Sequence, residues 1–197
     1  MKKYIIAFFI LFASLATVNA QSLWNITYDM SVPLGSTNDF ISKTSFRGFG
    51  IDGRGFINQN VTLGGSWDWN VFYSWQENLT TTENNVTVTG NNYNYGNYMP
   101  IMFNTHYYFG EDGGIRPYIG TGVGTIWKEE RKDVGSFNVM LDNNWQFGFT
   151  PEVGIFIPVA SSSLLFVRAK YVYGVKTSQV RATSYLSFGV GIAWENF

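Results

Sequence analysis

Alternation of apolar and polar residues with a period of two runs through almost the whole chain after the first twenty residues. In the stretch VTLGGSWDWNVFYSW, residues 61–75, the aromatic residues Trp67 and Trp69 flank Asp68. A period of two is the side-chain repeat of a β-strand, whereas an amphipathic helix repeats every 3.6 residues. Because no convincing helical repeat accompanies this alternation, the sequence predicts an all-β fold.

Eight stretches of this kind follow one another, and residues typical of turns separate them. We predict strands over roughly residues 24–31, 44–56, 61–75, 99–109, 119–127, 145–157, 165–173 and 186–194. The connections alternate between short ones and long polar ones, and the long ones lie near residues 33–43, 77–93, 128–140 and 174–183. All long connections then meet at one end of an antiparallel meander, which is typical of outer-membrane barrels.

The polar parity of the predicted strands is rich in glycine, for example at Gly48, Gly120 and Gly189. A soluble sandwich or lipocalin-like barrel would turn this face to water, where glycine only weakens a strand. Inside a narrow eight-stranded barrel, by contrast, small residues must be interleaved with large ones to fill the interior. We therefore predict a transmembrane eight-stranded antiparallel up-and-down β-barrel whose apolar parity faces lipid.

Aromatic residues on the apolar parity gather near the strand ends and predict two rows at the water–lipid boundaries. At such a boundary an indole or phenol ring is buried while its N–H or O–H group stays hydrated. The predicted interface residues are Trp24, Tyr73, Trp75, Tyr107, Trp127, Trp145, Tyr171 and Trp194. Several predicted strands also have the length of about 9–11 residues that a tilted strand needs to cross a bilayer.

Residues 1–20 have the pattern of an export signal. Met1–Lys3 is a short basic start, Tyr4–Ala13 is an almost unbroken apolar run, and Val18–Ala20 supplies the small residues that signal peptidase reads. The apolar run is too short to span a bilayer as a helix. We therefore expect residues 1–20 to be a signal peptide and residues 21–197 to form an outer-membrane β-barrel domain.

Three stretches rich in glycine and apolar residues carry a likeness to a known family, namely Arg116–Gly124, Pro151–Ile155 and Leu186–Trp194. In these stretches the chain resembles the small outer-membrane β-barrel family of Gram-negative bacteria, whose eight-stranded members include the transmembrane domain of outer membrane protein A. The resemblance implies an integral protein of the bacterial outer membrane, exported by its signal peptide and in contact with outer-membrane lipid.

The same resemblance implies a C-terminal aromatic residue that the barrel-assembly machinery reads as an assembly signal. Phe197 is the candidate for this residue. The alternation of the last strand, however, puts Asn196 rather than Phe197 on the outer face. We therefore expect the last residues either to bulge or to fold back.

Polar residues on the inner parity predict a network inside the barrel. Its members are Asp52, Arg54, Asp68, Asn70, His106, Glu152, Arg168 and Lys170. A hairpin centred near Val159–Ser161 would put Glu152 across from Arg168 or Lys170. Unpaired charges in a narrow interior are costly, so we expect these charges to compensate one another. Such a network fills the lumen, which predicts a largely closed barrel.

The sequence gives little support to catalysis or to cofactor, metal or nucleic-acid binding. Cysteine is absent and His106 is the only histidine, which argues against a zinc site. The formal net charge of −1 comes with no basic run, which argues against a nucleic-acid partner. Lipid-modifying members of the resembled family carry their catalytic histidine on the outer surface, whereas His106 lies on the inner parity. We therefore expect no enzyme activity.

These observations together predict a non-enzymatic outer-membrane barrel with a structural or surface-interaction role. A narrow porin-like channel for small solutes is the first alternative, because a charged lumen can also form a gated path. A lipid-acting enzyme is the less favoured one. The Asn- and Thr-rich stretch Thr80–Asn97 is predicted to be a mobile surface loop, where an extracellular ligand would bind.

Overall fold

The computed structural model describes residues 21–83, 86–134, 137–160 and 162–196. The predicted signal peptide, residues 1–20, and the predicted assembly signal, Phe197, lie outside the described residues. Within the described ranges most residues belong to β-strands.

Eight antiparallel strands form a closed barrel in which each strand pairs with its neighbours in sequence and β8 pairs with β1. The strands are β1 (Ser22–Pro33), β2 (Ser45–Asn58), β3 (Val61–Glu83), β4 (Val86–Tyr108), β5 (Arg116–Val134), β6 (Phe137–Ala160), β7 (Ser163–Gly174) and β8 (Thr183–Asn196). This confirms the predicted fold class. We call the end where β1, β3, β5 and β7 finish the loop end, and the opposite end the turn end.

Four neighbouring strands are much longer than the sequence pattern indicates. β3, β4, β5 and β6 have 23, 23, 19 and 24 residues, whereas the other four strands have 12 or 14. β3 pairs with β4 as far as Glu83 and Val86, and β5 pairs with β6 as far as Val134 and Phe137. The prediction of long loops over residues 77–93 and 128–140 was therefore wrong. Both stretches belong mainly to hairpin ladders at the loop end.

The reason for this error is visible in the residue types. Thr80–Val88 is rich in threonine and valine, which favour strands, but Val86 and Val88 are its only apolar residues, so no sustained apolar alternation marks it in the sequence. Period-two analysis detects strands that separate an apolar face from a polar one. It misses a hairpin whose two faces lack this contrast.

One short helix, α1 (Gly35–Phe40), interrupts the connection from β1 to β2 in the described chain. Hydrogen bonds tie the connection to β8, with Leu34 N donating to Ser184 O at 2.9 Å and Ser184 N donating to Thr37 Oγ1 at 3.0 Å. Ile41, which follows the helix, is fully buried. This connection therefore folds inward over the mouth of the barrel, and six residues are too few to show a helical repeat in the sequence.

The outer and inner faces have the inverted polarity of a membrane barrel. On the outer face, Trp24 and Phe147 are 55% and 58% exposed, while on the inner face Arg168 is 2% exposed. A soluble barrel would bury the first two and expose the third. Among the described residues, no helix has the length and apolar character needed to cross a membrane.

Candidate functional site

The barrel interior contains three stacked layers of side chains between the turn end and the loop end. The lower aromatic layer consists of Leu23, Phe56, Tyr108, Tyr118, Phe156, Phe166 and Ala193. The charged layer above it contains Asp29, Asp52, Arg54, Asp68, His106, Glu152, Arg168 and Lys170. The upper aromatic layer consists of Ile41, Phe72, Tyr98, Met102, Ile126, Val172 and Tyr185. The side chains of each layer come from most of the strands, so each layer extends across the lumen.

The lower layer is a chain of aromatic rings in mutual contact. The ring centroids of Tyr108 and Tyr118 are 5.4 Å apart, those of Tyr118 and Phe156 are 5.3 Å apart, and those of Phe156 and Phe166 are 5.1 Å apart. These separations lie in the range of favourable aromatic pairs. Gly154 makes room for this packing, since a Cβ there would come within 2.6 Å of the Tyr118 ring. The rings therefore pack against one another inside the lumen near the turn end.

Arg168 is one centre of the charged layer. Its Nη2 atom donates to Asp68 Oδ1 at 2.5 Å, to Asp29 Oδ2 at 2.9 Å and to Thr27 Oγ1 at 2.9 Å. Its Nη1 atom lies 3.7 Å from Asp52 Oδ2. One buried guanidinium thus contacts carboxylates from β1, β2 and β3, and it holds those strands to β7.

Glu152 is the second centre. Its Oε1 atom accepts hydrogen bonds from Arg54 Nη2 at 3.1 Å and from Tyr118 Oη at 2.6 Å. Its Oε2 atom lies 3.4 Å from Lys170 Nζ, and Glu152 and Lys170 face each other in the β6–β7 ladder. The bond from Tyr118 links the charged layer to the lower aromatic layer. Arg54 also forms a hydrogen-bonded pair with Asp52 at 2.7 Å.

The eight residues predicted on the inner parity are all buried. Seven of them lie in the charged layer, where His106 Nε2 is 3.6 Å from Glu152 Oε1 and Nδ1 is 3.4 Å from Thr62 Oγ1. Asn70 lies slightly nearer the loop end, where its amide accepts from Ser31 Oγ at 2.7 Å and donates to Tyr185 Oη at 3.2 Å. The structure thus brings these side chains together in one region.

The upper layer contains a triangle of rings. The centroids of Phe72 and Tyr98, of Phe72 and Tyr185, and of Tyr98 and Tyr185 are 5.4, 5.4 and 5.8 Å apart. Ile41 from the β1–β2 connection packs into the same layer. The two aromatic layers were not part of the sequence prediction. The signal that could have revealed them was the set of rings at inner-parity positions, such as Tyr118 and Phe166.

A second group of charges lies beyond the upper layer and was also missed. Glu130 Oε2 pairs with Arg181 Nη2 at 2.6 Å, and Glu130 Oε1 accepts from Tyr98 Oη at 2.6 Å. Lys128 Nζ lies 3.2 Å from Glu130 Oε1 and 3.4 Å from Asp142 Oδ2. Continuing the parity of β5 past residue 127 would have placed Lys128 and Glu130 inside. They were instead assigned to a loop.

A cavity of about 670 Å³ opens above this group, and we call it the loop-end cavity. Its wall includes Phe40 and Lys43 from the β1–β2 connection, Trp75 from β3, Asn92 from β4 and Lys132 from β5. The cavity exists because β3–β6 extend beyond the four shorter strands at the loop end. The inner faces of these extensions form its wall, and β2 does not reach that far. Side chains from the β7–β8 connection complete the wall.

The predicted interface aromatics lie on the outer side of the barrel. Trp24 and Trp194 face each other in the β1–β8 ladder near the turn end, and Tyr107 lies at the same end of β4. Towards the loop end, Trp127 and Trp145 face each other in the β5–β6 ladder. The remaining members are Tyr73, Trp75 and Tyr171, which are half-buried or exposed. Trp75 lies beyond Asn70, the last residue of β3 that pairs with β2, and at this uncovered edge it also lines the loop-end cavity.

Metal ions in proteins are held mainly by His, Cys, Asp and Glu side chains. The described part of the chain contains no group of three or more such residues in a suitable arrangement. The charged layer instead pairs its carboxylates with Arg54, Arg168 and Lys170. Its chemistry is therefore that of a network of buried ion pairs.

Comparison with known proteins identifies the family. The profile of the OmpW family matches residues 57–186, which is more than half of the chain. None of the curated proteins matches the chain in sequence.

Solved structures share the fold at low sequence identity. Neisserial surface protein A is 14% identical with a TM-score of 0.53, covering 90% of this chain and 97% of its own. OprG from Pseudomonas aeruginosa is 13% identical with a TM-score of 0.52, covering 90% and 96%. Ail from Yersinia pestis is 10% identical with a TM-score of 0.52, covering 91% and 100%. The family match, the closed barrel and its inverted polarity agree, and the chain belongs to the OmpW family as an integral β-barrel protein of the outer membrane of Gram-negative bacteria.

Proposed function

We propose that this protein is a non-enzymatic outer-membrane barrel with a closed lumen, and that it acts at the cell surface through its loop end. The observation that carries the proposal is the stack of three layers in the lumen. A solute would have to pass two layers of rings in contact and one layer of paired charges. The loop-end cavity then remains as the place where a ligand or partner can bind.

The charged layer supports closure because its charges compensate one another at short range. Arg168, Glu152 and their partners are nearly inaccessible to solvent. Opening a water path would require separating buried ion pairs, and an unpaired buried charge is costly. A stable pore of this diameter would need polar walls without such cross-links, since eight strands leave an interior that side chains can just fill.

The placement of His106 argues against a lipid-acting enzyme. Its ring lies inside the barrel, packed edge-to-face on Tyr118 with centroids 5.3 Å apart. Outer-membrane lipid meets the opposite face of the wall. A general base must come within hydrogen-bond reach of its substrate, which the barrel wall prevents here.

Export, assembly and membrane contact complete the proposal. Residues 1–20 would be removed as a signal peptide, leaving 21–197 as the barrel domain. The two aromatic rows would lie at the lipid headgroups, where amphipathic rings are favoured.

The barrel-assembly machinery would read Phe197, and deletion of Phe197 should then reduce the amount of folded protein in the outer membrane. Unchanged surface expression of the deletion variant would contradict this assignment.

The first test of closure is single-channel conductance in a planar bilayer. We expect no current steps from folded wild-type protein, because the three layers leave no continuous water path. We expect the same silence from Glu152→Gln, because that change disturbs the charged layer and leaves both aromatic layers in place. Folding of each sample is checked beforehand by the heat-dependent shift of its electrophoretic mobility.

The two samples separate three interpretations. Reproducible current steps from the wild type would contradict a closed lumen and favour the narrow channel. Steps from Glu152→Gln alone would show that the charged layer is a gate and that the rings do not seal the lumen. Absence of current steps from both samples supports a closed lumen. A binding partner should then be sought at the loop end.

A further inference from the structure

We infer that the loop-end cavity is a binding site for an acidic saccharide, that is, a sugar ring bearing a carboxylate. This inference rests on the proposed surface-interaction function and gives its ligand a chemical class. Four features of the cavity support it: its volume, an indole in its wall, unpartnered amide oxygens, and lysines without ion pairs. Each feature matches one part of such a ligand.

The volume and polarity of the cavity suit a small hydrophilic molecule. About 670 Å³ lies within the range of roughly 300–1,000 Å³ that is usual for small-molecule sites. Amide side chains are prominent in the wall, including Asn38, Gln76 and Gln179. An apolar solute would leave these groups without hydrogen bonds, whereas the hydroxyls of a sugar can both donate and accept.

Trp75 supplies an aromatic surface beside these amides. Its side chain is 43% exposed, and the ammonium of Lys43 lies 5.7 Å from the centroid of its ring. The face of an indole ring carries partial negative charge. It therefore attracts the weakly positive C–H groups on a sugar ring as well as a cation. Trp75 and Lys43 together offer a contact for a ring and a contact for its charged substituent.

Two asparagines in the wall have side-chain oxygens without partners. Asn92 is 3% exposed, and its Oδ1 atom is buried without a hydrogen bond. Asn94 Nδ2 donates to Phe40 O at 3.0 Å, while Asn94 Oδ1 is likewise buried and unpartnered. A buried acceptor without a donor is unfavourable, and native structures satisfy most such groups. Hydroxyl donors of a bound sugar would satisfy them after a small rotation of the amides.

Most of the charged side chains in the wall that form no ion pair within the described chain are positive. Arg181 and Asp142 also line the cavity, but they pair with Glu130 and Lys128. Lys43 and Lys132, by contrast, form no ion pair with another described residue. Asp39 supplies one negative charge at the rim.

Two lysines against one aspartate favour an anionic ligand. A carboxylate bound between the two ammonium groups would form charge-assisted hydrogen bonds. The amides and the indole would meanwhile contact the sugar ring. An acidic saccharide satisfies both requirements in one molecule.

Isothermal titration calorimetry with the mature protein, residues 21–197, in detergent micelles tests the inference. The probes are D-glucuronate and D-glucose, which share the ring and differ in the carboxylate. We expect glucuronate to bind with millimolar affinity and glucose to bind about tenfold more weakly, because glucose lacks the charged contact. The double change Lys43→Gln and Lys132→Gln should remove this preference. Lys176→Gln, an exposed lysine outside the cavity, is the matched control and should keep it.

A third variant separates ring recognition from charge recognition. Trp75→Ala should weaken glucose and glucuronate by the same factor, because both probes present the same ring. Equal affinity of the wild type for the two sugars, or no binding of either, would overturn the inference. So would a loss of preference in Lys176→Gln. Failure of these titrations would not contradict the proposal that the lumen is closed. Current steps in the bilayer would contradict that proposal whether or not a sugar binds.

The acidic sugar could come from lipopolysaccharide of the same membrane or from a soluble glycan. The protein is therefore titrated with glucuronate in phosphatidylcholine nanodiscs with and without lipopolysaccharide. Weaker apparent binding in the presence of lipopolysaccharide would support the inference and assign the membrane as the source. Unchanged binding would support the inference and assign a soluble source.

Discussion

Replacement of Arg168 by methionine is expected to lower the free energy of unfolding by about 3–5 kcal/mol, which is the usual cost of breaking a buried ion pair. Methionine keeps much of the side-chain volume but removes the guanidinium that contacts Asp29, Asp52 and Asp68. Their carboxylates would remain buried without that partner. The barrel would then have to take up protons, admit water or separate its strands, and each of these is unfavourable.

The measurement is urea unfolding of the variant in lipid vesicles, followed by tryptophan fluorescence. Arg47→Met is the matched control, because Arg47 is exposed and its guanidinium lies 5.8 Å from the centroid of the Tyr73 ring. An exposed cation–π contact is worth only about 0.5–1 kcal/mol. Equal loss of stability in the two variants would contradict the central role assigned to Arg168.

The second large effect is expected at Gly64, where a single methyl group should destabilise the barrel by about 1–3 kcal/mol. Gly64 faces Arg54 in the β2–β3 ladder. A Cβ at Gly64 would collide with the main-chain oxygen of Gly53 and lie 2.9 Å from Arg54 Cα. These are backbone atoms, so relief requires a shift of β2 against β3. Such a shift would also move Asp52 and Arg54 in the charged layer.

The next residue in the chain provides the control. Gly65 points outward, and a Cβ there would meet nothing closer than Met102 O at 3.6 Å, which is ordinary contact. Gly65→Ala should therefore be neutral or should stabilise the barrel by up to about 1 kcal/mol, because alanine loses less conformational freedom on folding than glycine. Both variants are compared by the same urea titration. A Gly64→Ala variant as stable as Gly65→Ala would show that the ladder can yield locally.

Local alternation predicted the architecture because the side-chain period of a strand is a property of the backbone alone. Trp67, Asp68 and Trp69 could be assigned to opposite faces without any knowledge of their neighbours. The same parity, carried across a hairpin, predicted that Glu152 would lie across from Arg168 or Lys170, and in the structure Glu152 faces Lys170. The number of strands, their antiparallel order and the inward position of the charged residues follow from strand periodicity and from the register of adjacent strands.

The lengths of β3–β6 could not be predicted in this way. At the loop end Thr81 and Val88 are partners in the β3–β4 ladder, but the sequence around them has too few apolar residues to alternate with the polar ones. No periodic contrast in hydropathy then marks the strand. The helix α1 was missed for a related reason, because Gly35–Phe40 is held by contacts with Ser184 and its neighbours in β8 rather than by its own repeat.

Which residues point into the barrel and which point out could be read from the amino-acid order alone, because that choice depends only on position along a strand. Which inward residues meet depends on the closed tertiary structure. Arg54 and Glu152 are 98 positions apart and contact each other because the barrel closes and its strands are staggered. The stacking of rings on charges and the opening of the loop-end cavity depend on the same closure and on the unequal heights of neighbouring strands. No local pattern carries that information.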